Sequence, residues 1–215
     1  MIPTFIIHHK PLADRKVYLD RVLPDAMYIT DDKIGPRYIN TVDAWNNKVN
    51  GVYDGEFPYR PLTTGDISCA NKHYEALGET SMLTVPALIL EDDAIILEGL
   101  KQCLWEVIQK RNNSFWDLLF IGGAFPHTVA PTLHYDPDSP FVLKGSPCTN
   151  TVCSYIVKPD IAAAIAHKLS KGITLPIDFE FNYICKELNL RVSHYLPYVV
   201  REGSSAGYYK GSQSR

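Results

Sequence analysis

Short apolar runs alternate along this chain with segments whose apolar residues recur every three or four positions, which predicts strands interleaved with helices. Thr4 to His8 reads as a buried strand. Pro11 to Leu23, with Leu12, Val17, Leu19, Val22 and Leu23 on its apolar face, reads as the helix that follows. Ala26 to Thr30 is a short second strand. Asp31 to Arg60, with its Gly, Pro and Asn, reads as loop-rich surface holding one helix near Asn40 to Val49. Thr63-Thr-Gly-Asp66 has the spacing of a capping box, and Ile67, Ala70, Tyr74 and Leu77 continue its helix until Gly78 stops it. Val85 to Leu90 and Trp116 to Ile121 are continuous apolar runs, as in strands buried on both faces of a parallel sheet. A helix from Glu98 to Lys110 separates them, and Gly122-Gly123 ends the second where backbone can approach a ligand closely. Further strands are expected at Thr151 to Val157 and Val192 to Tyr195, with helices from Pro159 to Leu169, ended at Gly172, and from about Asp178 to Leu188. The five prolines from Ala124 to Pro147 mark a long functional loop or an irregular hairpin over the sheet's carboxyl edge, and Tyr198 to Arg215 reads as a Gly/Ser-rich basic tail. The expected fold class is α/β, a single domain over residues 1–215 with a mostly parallel central sheet flanked by helices.

One strand end breaks the apolar pattern. Val85 to Leu90 runs directly into Glu91-Asp92-Asp93, and acids at such a strand's carboxyl end face the crevice where open α/β sheets bind ligands. Glu91 and Asp93, two apart, share one side of an extended backbone, and Asp92 takes the other. Hard oxygen ligands of this kind suit Mg²⁺ or Mn²⁺ with substrate phosphates completing the shell; a solvated acidic turn is the plain alternative for three acids taken alone. His8, His9, Lys10 and Arg15 fall at or just past the first strand's end, where they meet a pyrophosphate or a base, or form a solvated turn. A second acidic group, Asp178 with Glu180, stands at the start of the last helix, where Asp178 also reads as a cap.

Composition narrows the function classes. At 46% hydrophobic residues and a formal net charge of −3, the chain has no basic surplus to hold a polyanion, which argues against a nucleic-acid partner. Met1 to Ile7 is too short and lacks the charged start of a signal peptide, and no apolar run is long enough for a membrane span. Five cysteines, an odd number without paired metal-ligand spacing, favour free thiols in a reducing, cytoplasmic compartment and argue against zinc.

Five ordered blocks resemble glycosyltransferase family 25, the lipooligosaccharide and collagen-type galactosyltransferase group with a GT-A fold. The strand and Asp14-Arg15 element from Ile6 to Arg15 is similar to the family's opening, with His8-His9-Lys10 in place of its Asn-Leu-Asp. Leu62-Thr-Thr-Gly-Asp-Ile-Ser-Cys-Ala-Asn-Lys-His73 resembles the block L-T-x-G-E-I-G-C-x-x-S-H, with Asp66, Ser68 and Lys72 as departures. Leu88-Ile-Leu-Glu-Asp-Asp-Ala94 matches L-E-D-D-[AV], a DXD-like motif, and the remaining two blocks are Trp116 to Gly123 and Pro176-Ile-Asp178. More loosely, the chain resembles the glycosyltransferase domain of a large-DNA-virus enzyme of capsid glycosylation, which would act in host cytoplasm. The resemblance implies a GT-A-like domain, alone or within a larger polypeptide. It also implies a UDP-sugar donor, a glycan or glycoprotein acceptor, and an inverting transfer of a hexose or deoxyhexose. By the same resemblance, Glu91, Asp93 and His194 hold the metal. Asp92, Lys72, His73 and Arg201 lie near the donor with His8, His9 and Arg15, and Asp178, then Glu180, is the candidate base. A nucleotide-sugar phosphohydrolase or nucleotidyltransferase, or a non-catalytic glycan-binding module, is the competing reading.

Overall fold

The computed structural model describes residues 2–30, 35–53, 57–109, 116–123 and 140–209. Its central sheet has seven strands: β1 (Thr4–Ile7), β2 (Met27–Ile29), β3 (Ala87–Glu91), β5 (Leu118–Phe120), β7 (Phe141–Lys144), β8 (Ser154–Val157) and β9 (Val192–Tyr195), in the order β2-β1-β3-β8-β5-β9-β7. The pairings β1 with β2, β1 with β3 and β5 with β9 are parallel, whereas β8 lies antiparallel to β3 and β5, and β7 to β9. Five strands therefore point one way and two are reversed, so the mostly parallel α/β expectation holds. A second sheet of three strands, β4 (Ala94–Ile96), β6 (Gly122–Gly123) and β10 (Val200–Glu202), is ordered β4-β10-β6.

Six helices accompany the sheets among the described residues: α1 (Ala13–Val22), α2 (Val42–Val49), α3 (Thr64–Ser81), α4 (Leu100–Gln109), α5 (Pro159–Ser170) and α6 (Ile177–Glu187). Side-chain alternation along the strands splits the core in two. Phe5, Ile7, Ala87, Ile89, Phe120 and Tyr155 pack with Ala70 and Leu77 of α3, Ile165 of α5 and Phe181 of α6. From the opposite face Ile6, Leu88, Leu90 and Ile156 pack with Leu19 of α1 and Cys103 and Val107 of α4. None of these helices is long and apolar enough to cross a membrane.

Several expectations are corrected by packing. α3 passes through Gly78 and ends at Ser81, since burial of its apolar face outweighs the roughly 1 kcal/mol by which glycine disfavours a helix. Its capping box is as expected: the Thr63 hydroxyl accepts from Asp66 N–H, and the Asp66 carboxylate accepts from Thr63 N–H at 2.8 Å. On α1 the supposed apolar face is divided, for Val17 is 61% exposed while Arg15 is buried beside Leu19. Gly172 does end its helix, with φ +140, a value few side-chain-bearing residues adopt. Strand β10 falls where a tail was expected, β4 in a stretch given no element, and β7 within the segment read as a loop or an irregular hairpin, of which residues 124–139 lie outside the described residues.

Candidate active site

Strand alternation explains why the three adjacent acids part company. Glu91, in line with Ala87 and Ile89, faces α3. Asp92, in the turn after β3, is met from the opposite side by α1 and the end of β1. Its carboxylate accepts from Arg15 Nη1 at 2.6 Å and from His9 N–H at 2.8 Å, and lies 2.9 Å from His8 Nδ1. His8, Arg15 and Asp92 are all buried, while the His9 ring is exposed. The His8 and Arg15 side chains and the His9 N–H thus cage Asp92, because a carboxylate taken out of water needs donors on its lone pairs.

Asp93 has a different environment. The chain returns along β10, which pairs antiparallel with β4, and its continuation closes over the acidic turn. Gly203 N–H donates to the Asp93 carbonyl at 2.8 Å, and Ser204 N–H to Asp93 Oδ2 at 3.3 Å. A Cβ on Gly203 would stand 2.6 Å from that carbonyl oxygen, so the closure requires glycine. Asp93 Oδ1 is buried and, among the described residues, has no hydrogen-bond partner. The return also delivers Glu202, opposite Ala94 in the register.

Around this turn gather Glu91, Asp178 and Glu202. Glu91 Oε1 lies 3.1 Å from His73 Nε2 and 3.6 Å from Cys69 Sγ, both one helical turn apart on α3. Asp178, in the first turn of α6, accepts from Val152 N–H at 3.1 Å. Burial raises Glu91 to about 8, helped by the charges of Asp93, Glu202 and Asp92. Asp178 is likewise pushed up to about 8, by burial and then by Glu91, with the Val152 N–H pulling the other way. Burial also lifts Glu202, reinforced by Asp93, and lifts Asp93 against the opposing pull of Ser204. The N-terminus of α6 favours an ionised Asp178, but loss of hydration and like charge outweigh it. His73, wholly buried, contacts the Tyr155 hydroxyl at 3.0 Å through Nδ1, and burial depresses it to about 3, so it is neutral. Burial, with Glu91 and Asp178, pushes the Cys69 thiol well up.

These observations test whether a divalent cation fits. An orphaned buried carboxylate oxygen beside acids that repel one another is an oxygen-rich donor set lacking its counter-charge. Carboxylate oxygens are the donor type a hard cation takes, but among the described residues the ligand atoms that lie within 4.8 Å of one another are those of Cys69, His73 and Glu91.

Other expected residues are placed elsewhere. Glu180 is buried, paired with Lys48, and accepts from Thr174 N–H at 3.2 Å and Leu175 N–H at 3.0 Å; it anchors α6 rather than facing an acceptor. His194 has both nitrogens engaged, Nε2 with the Cys148 carbonyl at 2.7 Å and Nδ1 with the Tyr198 hydroxyl at 2.9 Å. It also stacks on Phe120. Its strand β9 is separated from β3 by β8 and β5, about 14 Å at ordinary strand spacing, so it does not join the acids. Lys72 is buried on α3 with its ammonium on Ser68. Arg201 alternates with Glu202 on β10, which turns it to the opposite face. Gly122-Gly123 serves internal packing, since a Cβ on Gly122 would lie 2.5 Å from the Val200 carbonyl oxygen and one on Gly123 2.9 Å from the Tyr198 ring. Sequence reasoning did not single out Cys69 or Glu202. The i, i+4 spacing of Cys69 and His73 was a usable signal; an acid in a Gly/Ser-rich tail was not.

Comparisons with known proteins bear on these geometries. The family model described as glycosyltransferase family 25 (LPS biosynthesis protein) matches residues 1–129, well over half of the 215. That span includes the Asp92 cage, α3 and the acidic turn, and stops short of Asp178 and Glu202. No curated protein matches the chain. Among solved structures, the apo form of mouse xyloside xylosyltransferase 1 is similar at 12% identity and TM-score 0.38, over 88% of this chain and 69% of that one. Mannose-1-phosphate geranyltransferase from Thermus thermophilus is similar at 11% identity and TM-score 0.38, over 90% of this chain and 58% of that one.

Proposed function

The chain belongs to glycosyltransferase family 25, and from that premise we propose that it moves a hexose or deoxyhexose from a UDP-sugar to a hydroxyl of a glycan or glycoprotein acceptor, with inversion and with Mn²⁺ or Mg²⁺. The observation that supports the cation is the buried Asp93 Oδ1 without a partner, in an acid whose charge helps to raise both Glu91 and Glu202. When bound there, a divalent cation neutralises charge on the departing diphosphate.

The rest of the chemistry belongs to the side chains. Asp178 takes the proton of the acceptor hydroxyl as that oxygen attacks the anomeric carbon. A general base works best when its pKa is close to the operating pH, and Asp178 is held up at about 8. His73, neutral and fixed by Tyr155, orients Glu91. Asp92 and its cage hold the turn that presents Glu91 and Asp93. Five free cysteines support a reducing, cytoplasmic setting.

A nucleotide-sugar screen, reading metal-dependent donor hydrolysis and UDP binding by calorimetry, tests this. UDP binds only when Mn²⁺ or Mg²⁺ is present, and Asp178→Asn lowers turnover about 10²-fold or more while UDP still binds. UDP and UDP-sugars giving no heat with folded protein and metal would overturn the donor assignment. Undiminished turnover in Asp178→Asn would remove the base.

A further inference from the structure

We propose that Cys69, His73 and Glu91 form a second cation site, for a thiophilic divalent ion of the Zn²⁺ or Cd²⁺ class, whose occupation draws Glu91 away from the oxygen ligands around Asp93. The ligand atoms Cys69 Sγ, His73 Nε2 and one Glu91 oxygen lie within 4.8 Å of one another. Ordinary zinc bond lengths and tetrahedral angles put nitrogen and oxygen ligands about 3.4 Å apart, and sulfur and oxygen ligands about 3.6 Å apart. The corresponding separations here are 3.1 and 3.6 Å. Two edges of the tetrahedron are thus nearly in place before any ion arrives, and the remaining sulfur–nitrogen edge must close by at most about 1.2 Å.

The surroundings suit ligation. A metal-bound imidazole normally has its other nitrogen held by a neighbour, and His73 Nδ1 has the Tyr155 hydroxyl at 3.0 Å, with the two rings stacked. With the proton on Nδ1 donated to Tyr155, Nε2 offers its lone pair to the ion. Cys69 gives up its thiol proton to solvent, as does Glu91 where protonated, and no electron is transferred. The fourth position falls to water. Cys69 is partly exposed whereas the other four cysteines are buried, so an ion from solution meets this thiol first.

The competition for Glu91 rests on the proposed function; the soft site itself does not. The test is a Cd²⁺ titration of the metal-free full chain with thiols reduced, followed by the thiolate-to-cadmium charge-transfer absorption. One saturable equivalent is expected. The band disappears in Cys69→Ser and Cys69→Ala, and affinity falls about 10-fold or more in Tyr155→Phe, with circular dichroism reporting that each variant is folded. A band that is absent from the wild type, or that survives both Cys69 replacements, overturns the site. Excess Mn²⁺ is expected to weaken Cd²⁺ binding, and an unchanged Cd²⁺ affinity in the presence of bound Mn²⁺ overturns the sharing of Glu91. Should electron spin resonance show no Mn²⁺ bound at all while the Cd²⁺ band persists, the metal-dependent transfer falls and the soft site stands.

Discussion

Asp92 and Asp93 are neighbours in one turn, chemically identical and both buried, yet their surroundings are opposite. Asp92 meets a guanidinium, an imidazole and a backbone N–H. Asp93 receives two backbone donors on its carbonyl and Oδ2, and its Oδ1, among the described residues, has no partner. The first is an anchor whose charge is neutralised inside the fold. The second is lifted by burial against the pull of Ser204 and Arg15 and keeps one oxygen without a partner, a feature that a native fold retains for a reason. Adjacent carboxylates in one motif therefore divide structure and chemistry between them.

Substitution at Asp92 should have the largest effect. Asp92→Asn removes one charge of the buried pair with Arg15, and breaking such a pair costs about 3–5 kcal/mol, or a fall in melting temperature of roughly 6–20 °C for a chain of this size. Asp93→Asn reverses the pattern: removing a charge from mutually repelling acids leaves the melting temperature of the metal-free protein unchanged or higher. Transfer activity drops about 10²- to 10³-fold. Equal destabilisation in thermal melts of the two variants would erase the distinction drawn between them.

A smaller effect comes from pH. Glu91 and Asp178 rise from ordinary values of 4.5 and 3.8 to about 8 in the folded chain. Raised carboxyl groups stabilise fully below the unfolded pKa, and that contribution is lost as pH climbs through the folded one. The metal-free protein should therefore be more stable at pH 6 than at pH 8. Mn²⁺, which binds the ionised form, should recover more at pH 8, up to about 2.7 kcal/mol at a hundredfold excess over Kd. A metal-induced shift that is the same at both pH values would count against ionisation of these acids on binding.

Legibility in the sequence followed the range of the interactions. The run into Glu91-Asp92-Asp93, the capping box at Thr63 and the strand Val192 to Tyr195 were read correctly because each depends on residues within a few positions. Asp178 was visible as an acid at a helix start, although its surroundings raise its pKa. Where periodicity misled, a long-range partner was responsible: Arg15 is buried on α1 because Asp92, 77 residues on, awaits it, and Glu180 is taken up by Lys48, 132 residues away. Glu202 could not be seen, since a three-residue strand becomes a strand only against β4 and β6.

By itself the sequence determined the α/β alternation, the position of the acidic strand end and the family to which it belongs, since these follow from local periodicity and short motifs. Only the tertiary structure decided which acid is neutralised and which keeps a buried oxygen without a partner. Charge compensation inside a fold is set by through-space neighbours, and these were brought together by α1 on one side of the turn and by α3, α6 and β10 around the other.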